Sequence, residues 1–196
     1  STINNAFVCK EEMQEKYPDA EICVFDSICA SGGHGLLIYH AIENKKKGMS
    51  VKENMQALEE LKHRIVHKFT VDDLTYLQRG GRISKTAAVI GGMIQLKPVL
   101  HVDTEGRLAA ESKVRGRKKA LNQLLAEMDI CTGGYADKQD VVLICHADCP
   151  EDAEYVRAKV EEKYHPNKII MSEVGPIVGA HVGPGTMVLI FEGDKR

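Results

Sequence analysis

The chain has 196 residues, enough for one large domain or two small ones. Hydrophobic residues make up 43% and charged residues 28%, which excludes a disordered, collagenous or disulfide-dominated chain. Lys and Arg number 26 against 28 acidic residues, a net charge of −2, and aromatics reach only 5%, so neither a polyanion-binding surface nor a base-stacking platform is expected.

No apolar run approaches the length of a membrane span, and Ser1-Thr2-Ile3-Asn4-Asn5 does not open a signal peptide, so no integral membrane association is expected. The first segment, to about Tyr17, spaces Ile3, Ala6, Phe7 and Met13 as a helix does, and Pro18 ends it. The chain starts without methionine at what reads as a helix entrance, which raises the expectation of a missing N-terminal part. Residues 21–25 form a short apolar run bounded by Asp26-Ser27, the pattern of a buried strand. Gly32, Gly33 and Gly35 lead into a helix as far as Lys47. This strand–glycine–helix order is that of an α/β phosphate site, but the spacing does not fit G-x-G-x-x-G and no Walker lysine follows.

Ser50-Val51-Lys52-Glu53 is a capping box, and Val51, Met55, Leu58, Leu61 and Ile65 continue it as an amphipathic helix. Residues 63–70 turn toward β character, and a domain boundary is expected there. Beyond the segment 74–84 a helical stretch runs to about Gln95. Residues 96–102 and 107–113 flank Asp103-Thr104-Glu105-Gly106 as a β-hairpin. Residues 117–128 read as a helix and 141–145 as a strand. A further helix opens with Asp148 as cap and Pro150 in its first turn. Residues 168–171 and 186–191 are strands. Alternation of strands and helices makes the fold class α/β.

The six cysteines, at 9, 23, 29, 131, 145 and 149, do not read as a disulfide framework. Cys9, Cys23 and Cys145 lie in apolar segments, where a thiol behaves as a small buried hydrophobe, so reduced cysteines and a cytoplasmic location are expected. Cys145-His146 with Cys149 lacks a fourth ligand at metal spacing, and no metal site is expected.

Three stretches hold candidate chemistry. Residues 175–185 contain four glycines and two prolines around His181, a tight loop whose imidazole and backbone N–H groups either hold an anion or simply build a turn. Gly80-Gly81-Arg82 is either a helix C-cap with a surface arginine or a guanidinium brought to an anion. Five basic residues fall among Lys113, Arg115, Arg117, Lys118 and Lys119, a solvated face, a docking patch for an acidic partner or, third, a nucleic-acid contact. No G-x-S-x-G elbow or paired carboxylates stand out.

These motifs together resemble the DegV family. The run Leu74-Thr75-Tyr76-Leu77-Gln78-Arg79-Gly80-Gly81-Arg82-Ile83-Ser84 is similar to its LxYLxxGGRIS signature, and Asp26-Ser27, Ser31, Gly33 and Gly35 match its DSxxxSxGxG element. Leu96 to Leu100, the basic run from Lys113, and Gly179-Ala180-His181-Val182-Gly183-Pro184-Gly185 follow in the family's order. Thr2 falls in what resembles the tail of its SSxLSGTYxSA motif, with Ser1 where glycine is usual. The family's opening DSxxDLP strand and TSQP segment are not matched, so the chain looks like a fragment.

The resemblance implies the end of an α/β/α first domain over residues 1–64 and a complete second α/β domain with a mixed sheet over 65–196. It implies a non-catalytic carrier that holds a long-chain fatty acid between two domains, with no cofactor, and a fatty-acid kinase as candidate partner. It assigns the carboxylate and its neighbouring loop to His181, Ala180, Gly179, Thr2, Ser27 and Arg82, and kinase docking to Arg115 and Arg117. Burying a chain of roughly fourteen methylenes yields about 11 kcal/mol before ordering costs, so a dry tunnel with a small polar cap is expected. Ala87, Ala88, Val89, Ile90, Met93, Ile94 and Leu96 offer apolar stock for a wall or for plain core. The alternative is a phosphoryl- or acyl-transfer enzyme using the glycine-rich loops, for which the chain offers no evident nucleophile or base.

Overall fold

In a computed structural model that describes residues 2–84 and 96–196, six strands form one mixed sheet with helices on both faces. The elements in chain order are α1 (Thr2–Lys16), α2 (Gly32–Lys46), α3 (Val51–Leu61), β1 (Ile65–Thr70), α4 (Leu74–Arg79), β2 (Leu96–Val102) and β3 (Leu108–Arg115). They continue with α5 (Arg117–Thr132), β4 (Val141–Ala147), α6 (Pro150–Tyr164), β5 (Lys168–Glu173), α7 (Pro176–Val182) and β6 (Thr186–Glu192). The strand order is β3-β2-β1-β6-β4-β5. β4 and β5 are parallel, as their connection through α6 requires, and the other neighbours are antiparallel. The expected helix between residues 85 and 95, with its apolar stock, lies outside the described residues apart from half-buried Leu96.

β1 is central, buried along its whole length, and the alternation of side chains splits it between two cores. Ile65 and Phe69 join Leu36, Leu37, Leu58 and Leu61 on the face covered by α2 and α3. Val66 joins Leu121, Leu124, Met128, Val156 and Val160 on the face covered by α5 and α6. Each fully buried Leu or Val there is worth about 1.5–3 kcal/mol. Packing thus runs across the boundary expected at residue 64, because α2 and α3 share a core with β1, β4 and β6. By contrast α1 buries none of its residues.

Four expectations are corrected. Residues 21–25 belong to no strand of the described sheet, so their backbone has no strand neighbour to pair with. Residues 175–185 are no open loop: Pro176 to Val182 wind into α7, opened by the proline and closed at Gly183. The residue capping α6 is Cys149, not Asp148, whose φ of 55° turns the chain before the helix. All six cysteines carry free thiols, but Cys9 and Cys23 are exposed rather than buried.

Candidate functional site

The helix face that holds α2 also holds a cavity of about 620 Å³, within the range of ligand pockets. Its floor is apolar sheet: Phe69 of β1, Val102 of β2, Leu108 of β3 and Val188 of β6. Leu77 of α4 and Val178 and Val182 of α7 close one side. Ala30 and Ser31 cover another, and Gly81, Arg82, Gly106, Arg107 and Ile177 form an exposed rim. Ile177 on this rim is 81% exposed.

His181 and Arg82 meet at this cavity although 99 residues separate them in sequence (181 − 82). Gly80 explains how. A Cβ there would lie 2.2 Å from His181 Nδ1, so only glycine lets α4 and α7 approach closely enough to seat the imidazole. Gly183 ends α7 at φ 77°, and a Cβ on it would strike the Tyr76 ring, so glycine is required on both counts. The Arg82 guanidinium donates to the Gly80 carbonyl at 2.6 Å, which turns it back over the same corner. The two readings of Gly80-Gly81-Arg82 therefore coincide: Gly80 caps α4, and Arg82 is exposed yet lines the cavity.

The covering segment, residues 26–31, is built from hydrogen bonds rather than regular structure. Asp26 Oδ1 accepts from the Ile28 amide at 2.9 Å, and Ser27 Oγ accepts from the Cys29 amide at 3.3 Å. Lys62 donates to the Asp26 carbonyl at 2.9 Å, and Arg196 donates to the carbonyls of Ile28 and Lys62. Ile28 and Ser31 sit at φ 47° and 48°, conformations that side chains disfavour and that cluster at functional segments. Burial pushes the Cys29 thiol upward, and the nearby Arg196 charge opposes that shift.

Of the other expected site residues, Ser27 faces His34 at 3.3 Å rather than the cavity. Gly179 and Ala180 lie in α7 beside His181 without lining the cavity, and Thr2 is exposed at the start of α1. Arg115 is exposed at the end of β3. Arg117 is engaged in the fold, donating to Asp152 at 2.7 Å and pairing with Asp72 at 3.4 Å. Sequence reasoning missed His67, which lines the cavity from β1 and is 2% exposed. Burial holds its pKa down at about 3, with the Arg196 charge acting in the same direction and the Ala30 and Ile65 carbonyls against it, so the imidazole is neutral. The available signal was its place two residues before Phe69 on an otherwise apolar strand face. Among the described residues no group of three or more His, Cys, Asp or Glu side chains is arranged to hold a metal ion, and no helix is long and apolar enough to cross a membrane.

Residues 1–194 match the family described as "Uncharacterised protein, DegV family". The chain belongs to the DegV family. A DegV domain-containing protein of Clostridium perfringens is 41% identical over 195 residues, covering 100% of this chain and 66% of its own length. The chain therefore spans slightly less than two thirds of that relative. The crystal structure of DegV from Bacillus subtilis, a fatty acid binding protein, matches with a TM-score of 0.79 at 28% identity, over 99% of this chain and 68% of that one. A Streptococcus pneumoniae Fatty Acid Kinase (Fak) B3 protein loaded with linoleic acid shares the fold with a TM-score of 0.89 at 22% identity, over 98% of this chain and 67% of that one.

Proposed function

We propose that the protein containing this chain is a non-catalytic carrier of a long-chain fatty acid. The supporting observation is the cavity: apolar walls from four strands and two helices, with His181 and Arg82 at one corner. A carboxylate leaving water needs hydrogen-bond donors more than strong attraction, and an imidazole and a guanidinium supply them. The acyl chain needs only a dry, apolar volume. The B. subtilis relative, which binds fatty acid, lends the reading support from a protein 28% identical to this one.

In this reading the acid lies between two domains, residues 1–64 closing the first and 65–196 forming the second. Of the twelve exposed large apolar side chains among the described residues, eight, Phe7, Val8, Met13, Tyr17, Ile38, Ile42, Met49 and Val51, precede residue 65. Thr2, Ser27, Gly179 and Ala180 then complete the head-group surroundings once both domains are present. The carboxylate is presented to a fatty-acid kinase across the face carrying Arg115 and Arg117, in the cytoplasm.

The test is native mass spectrometry of the intact protein, with collision energy raised stepwise. Release of a fatty-acid mass is the expected result, and His181→Ala is expected to weaken fatty-acid binding about tenfold, the worth of one charge-assisted hydrogen bond. An empty protein that takes up no added fatty acid, or one that releases a nucleotide, overturns the reading in favour of a transfer enzyme.

A further inference from the structure

Residues 193–196, which follow β6, tie the segment covering the cavity to the opposite face of the sheet. The Gly193 amide donates to the Arg64 carbonyl and the Asp194 amide to the Cys131 carbonyl, both at 2.9 Å. The Asp194 carboxylate accepts from the Gly134 amide at 2.7 Å. The chain is therefore anchored at the end of α5 before it reaches Arg196. From that base the half-buried Arg196 guanidinium donates to the Lys62 carbonyl at 2.8 Å and to the Ile28 carbonyl, 168 residues back in the chain. Its Nη2 also stands 3.7 Å from Cys29 Sγ.

The carbonyl it holds lies at an edge of the cavity. Gly106 meets the same group, for a Cβ there would lie 3.3 Å from the Ile28 oxygen. Ala30 and Ser31 line the cavity from the covering segment, and Gly106 and Arg107 line it from the hairpin turn. Ile28 thus sits at the seam where cover and hairpin meet. Its φ of 47° is one that a β-branched residue disfavours, and such a conformation persists only where contacts enforce it. Arg196 supplies a charge-assisted donor to the Ile28 carbonyl itself.

Resting on the reading of this cavity as an acyl site, we propose that Arg196 is a positioning residue for ligand retention: through the Ile28 carbonyl it keeps the seam between the covering segment and the Gly106 turn shut over the bound acyl chain. Arg196 does not line the cavity, so it acts through residues 28–31 and not on the acid. Its effect falls on the rate at which the chain escapes.

The experiment loads the intact protein with cis-parinaric acid, a fluorescent long-chain acid, and follows its displacement by excess palmitic acid, with amide hydrogen exchange measured alongside. Arg196→Ala is expected to raise the dissociation rate about tenfold, the scale of one charge-assisted hydrogen bond. It is also expected to speed exchange at the Ile28 and Cys29 amides while β1 and β6 keep their protection. Arg196→Lys keeps a charged donor but reaches one carbonyl at a time, and it restores part of both. Ser50→Ala is the control for general loss of stability, since its capping box lies at the other end of α3 from Lys62, and it should keep the wild-type rate. If Arg196→Ala fails to fold, Arg196→Lys decides, with a rise of about threefold expected. An unchanged rate in Arg196→Ala, or an equal rise in Ser50→Ala, overturns this inference and leaves the carrier reading standing. Wild-type protein that takes up neither acid overturns both.

Discussion

His67 and Lys68 are neighbours on β1, buried on opposite faces of one sheet, and their surroundings differ completely. Lys68 turns toward α5, where its ammonium donates to both oxygens of Glu111 at 2.7 Å and stands 3.9 Å from Glu127. Glu127 in turn accepts from Gln123 at 2.8 Å. Lys68, Glu111 and Glu127 are thus held in one paired group, as buried charge demands. His67 turns toward the cavity, discards its charge and keeps an unpaired nitrogen. One face pairs its buried charge, and the other keeps its buried ring neutral.

The largest expected effect of breaking this contrast is on the finished face. Lys68→Ala leaves Glu127 buried and facing Glu111 without a counter-charge, and a loss of about 3–5 kcal/mol is expected. The check is the urea midpoint, which should fall without a change in slope. Replacing Lys68 by Met together with Glu127→Leu removes the buried charges in a pair and should recover most of the loss. A cost below about 1 kcal/mol for Lys68→Ala would mean that water reaches the cluster and that the two faces are less different than the burial of Lys68 indicates.

The cavity face answers to pH. The His67 pKa is lowered in the folded protein from 6.5 to about 3, so below 6.5 the unfolded chain binds a proton that the folded chain refuses. Stability from this group is complete above pH 6.5 and is lost as pH falls toward 3, at about 1.4 kcal/mol per unit. Relative to wild type, His67→Leu should therefore lose about 2 kcal/mol less between neutral pH and about pH 5. Parallel pH profiles for the two proteins would show that the ring is hydrated, and the contrast with Lys68 would fail.

Much of this architecture was legible because it depends on periodicity. The capping box at Ser50, the hairpin around Gly106, the helix after Gly116 and the strands around Val142 and Leu189 each carry a local pattern that tertiary packing does not override. His181 and Arg82 were legible through their motifs, yet their meeting depends on the missing side chain of Gly80, a fact about two helices that neither sequence segment contains. Residues 21–25 carry the apolar character of a strand, but a strand exists only beside another, and composition cannot report whether one is there. The glycines of 175–185 advertise a loop, while Pro176 and Gly183 in fact mark the two ends of a short helix. His67 escaped notice because burial pattern says only that a position is inside, not whether its nitrogen has a partner.

The smallest expected effect separates stability from binding on the cavity face itself. Ser50 Oγ accepts from the Glu53 amide at 3.3 Å, while the Glu53 carboxylate accepts from the Ser50 amide at 2.8 Å. The Ser50 hydroxyl also donates to the Glu53 carboxylate at 2.7 Å, and this bond first, then the one from the Ser50 amide, holds the Glu53 carboxyl below its ordinary pKa; together these contacts start the helix that brings Leu58 and Leu61 onto the sheet. Ser50→Ala should cost about 1 kcal/mol of stability, read again as a urea midpoint. Neither Ser50 nor any other residue of α3 lines the cavity, so fatty-acid affinity should not move with it. His181→Ala should do the reverse, lowering affinity with little change in midpoint, since its ring lies at a cavity corner and outside both cores. If Ser50→Ala weakened binding as much as His181→Ala did, the cavity would depend on the whole helical layer for its shape, and the residues at its corner could not be credited with holding the carboxylate.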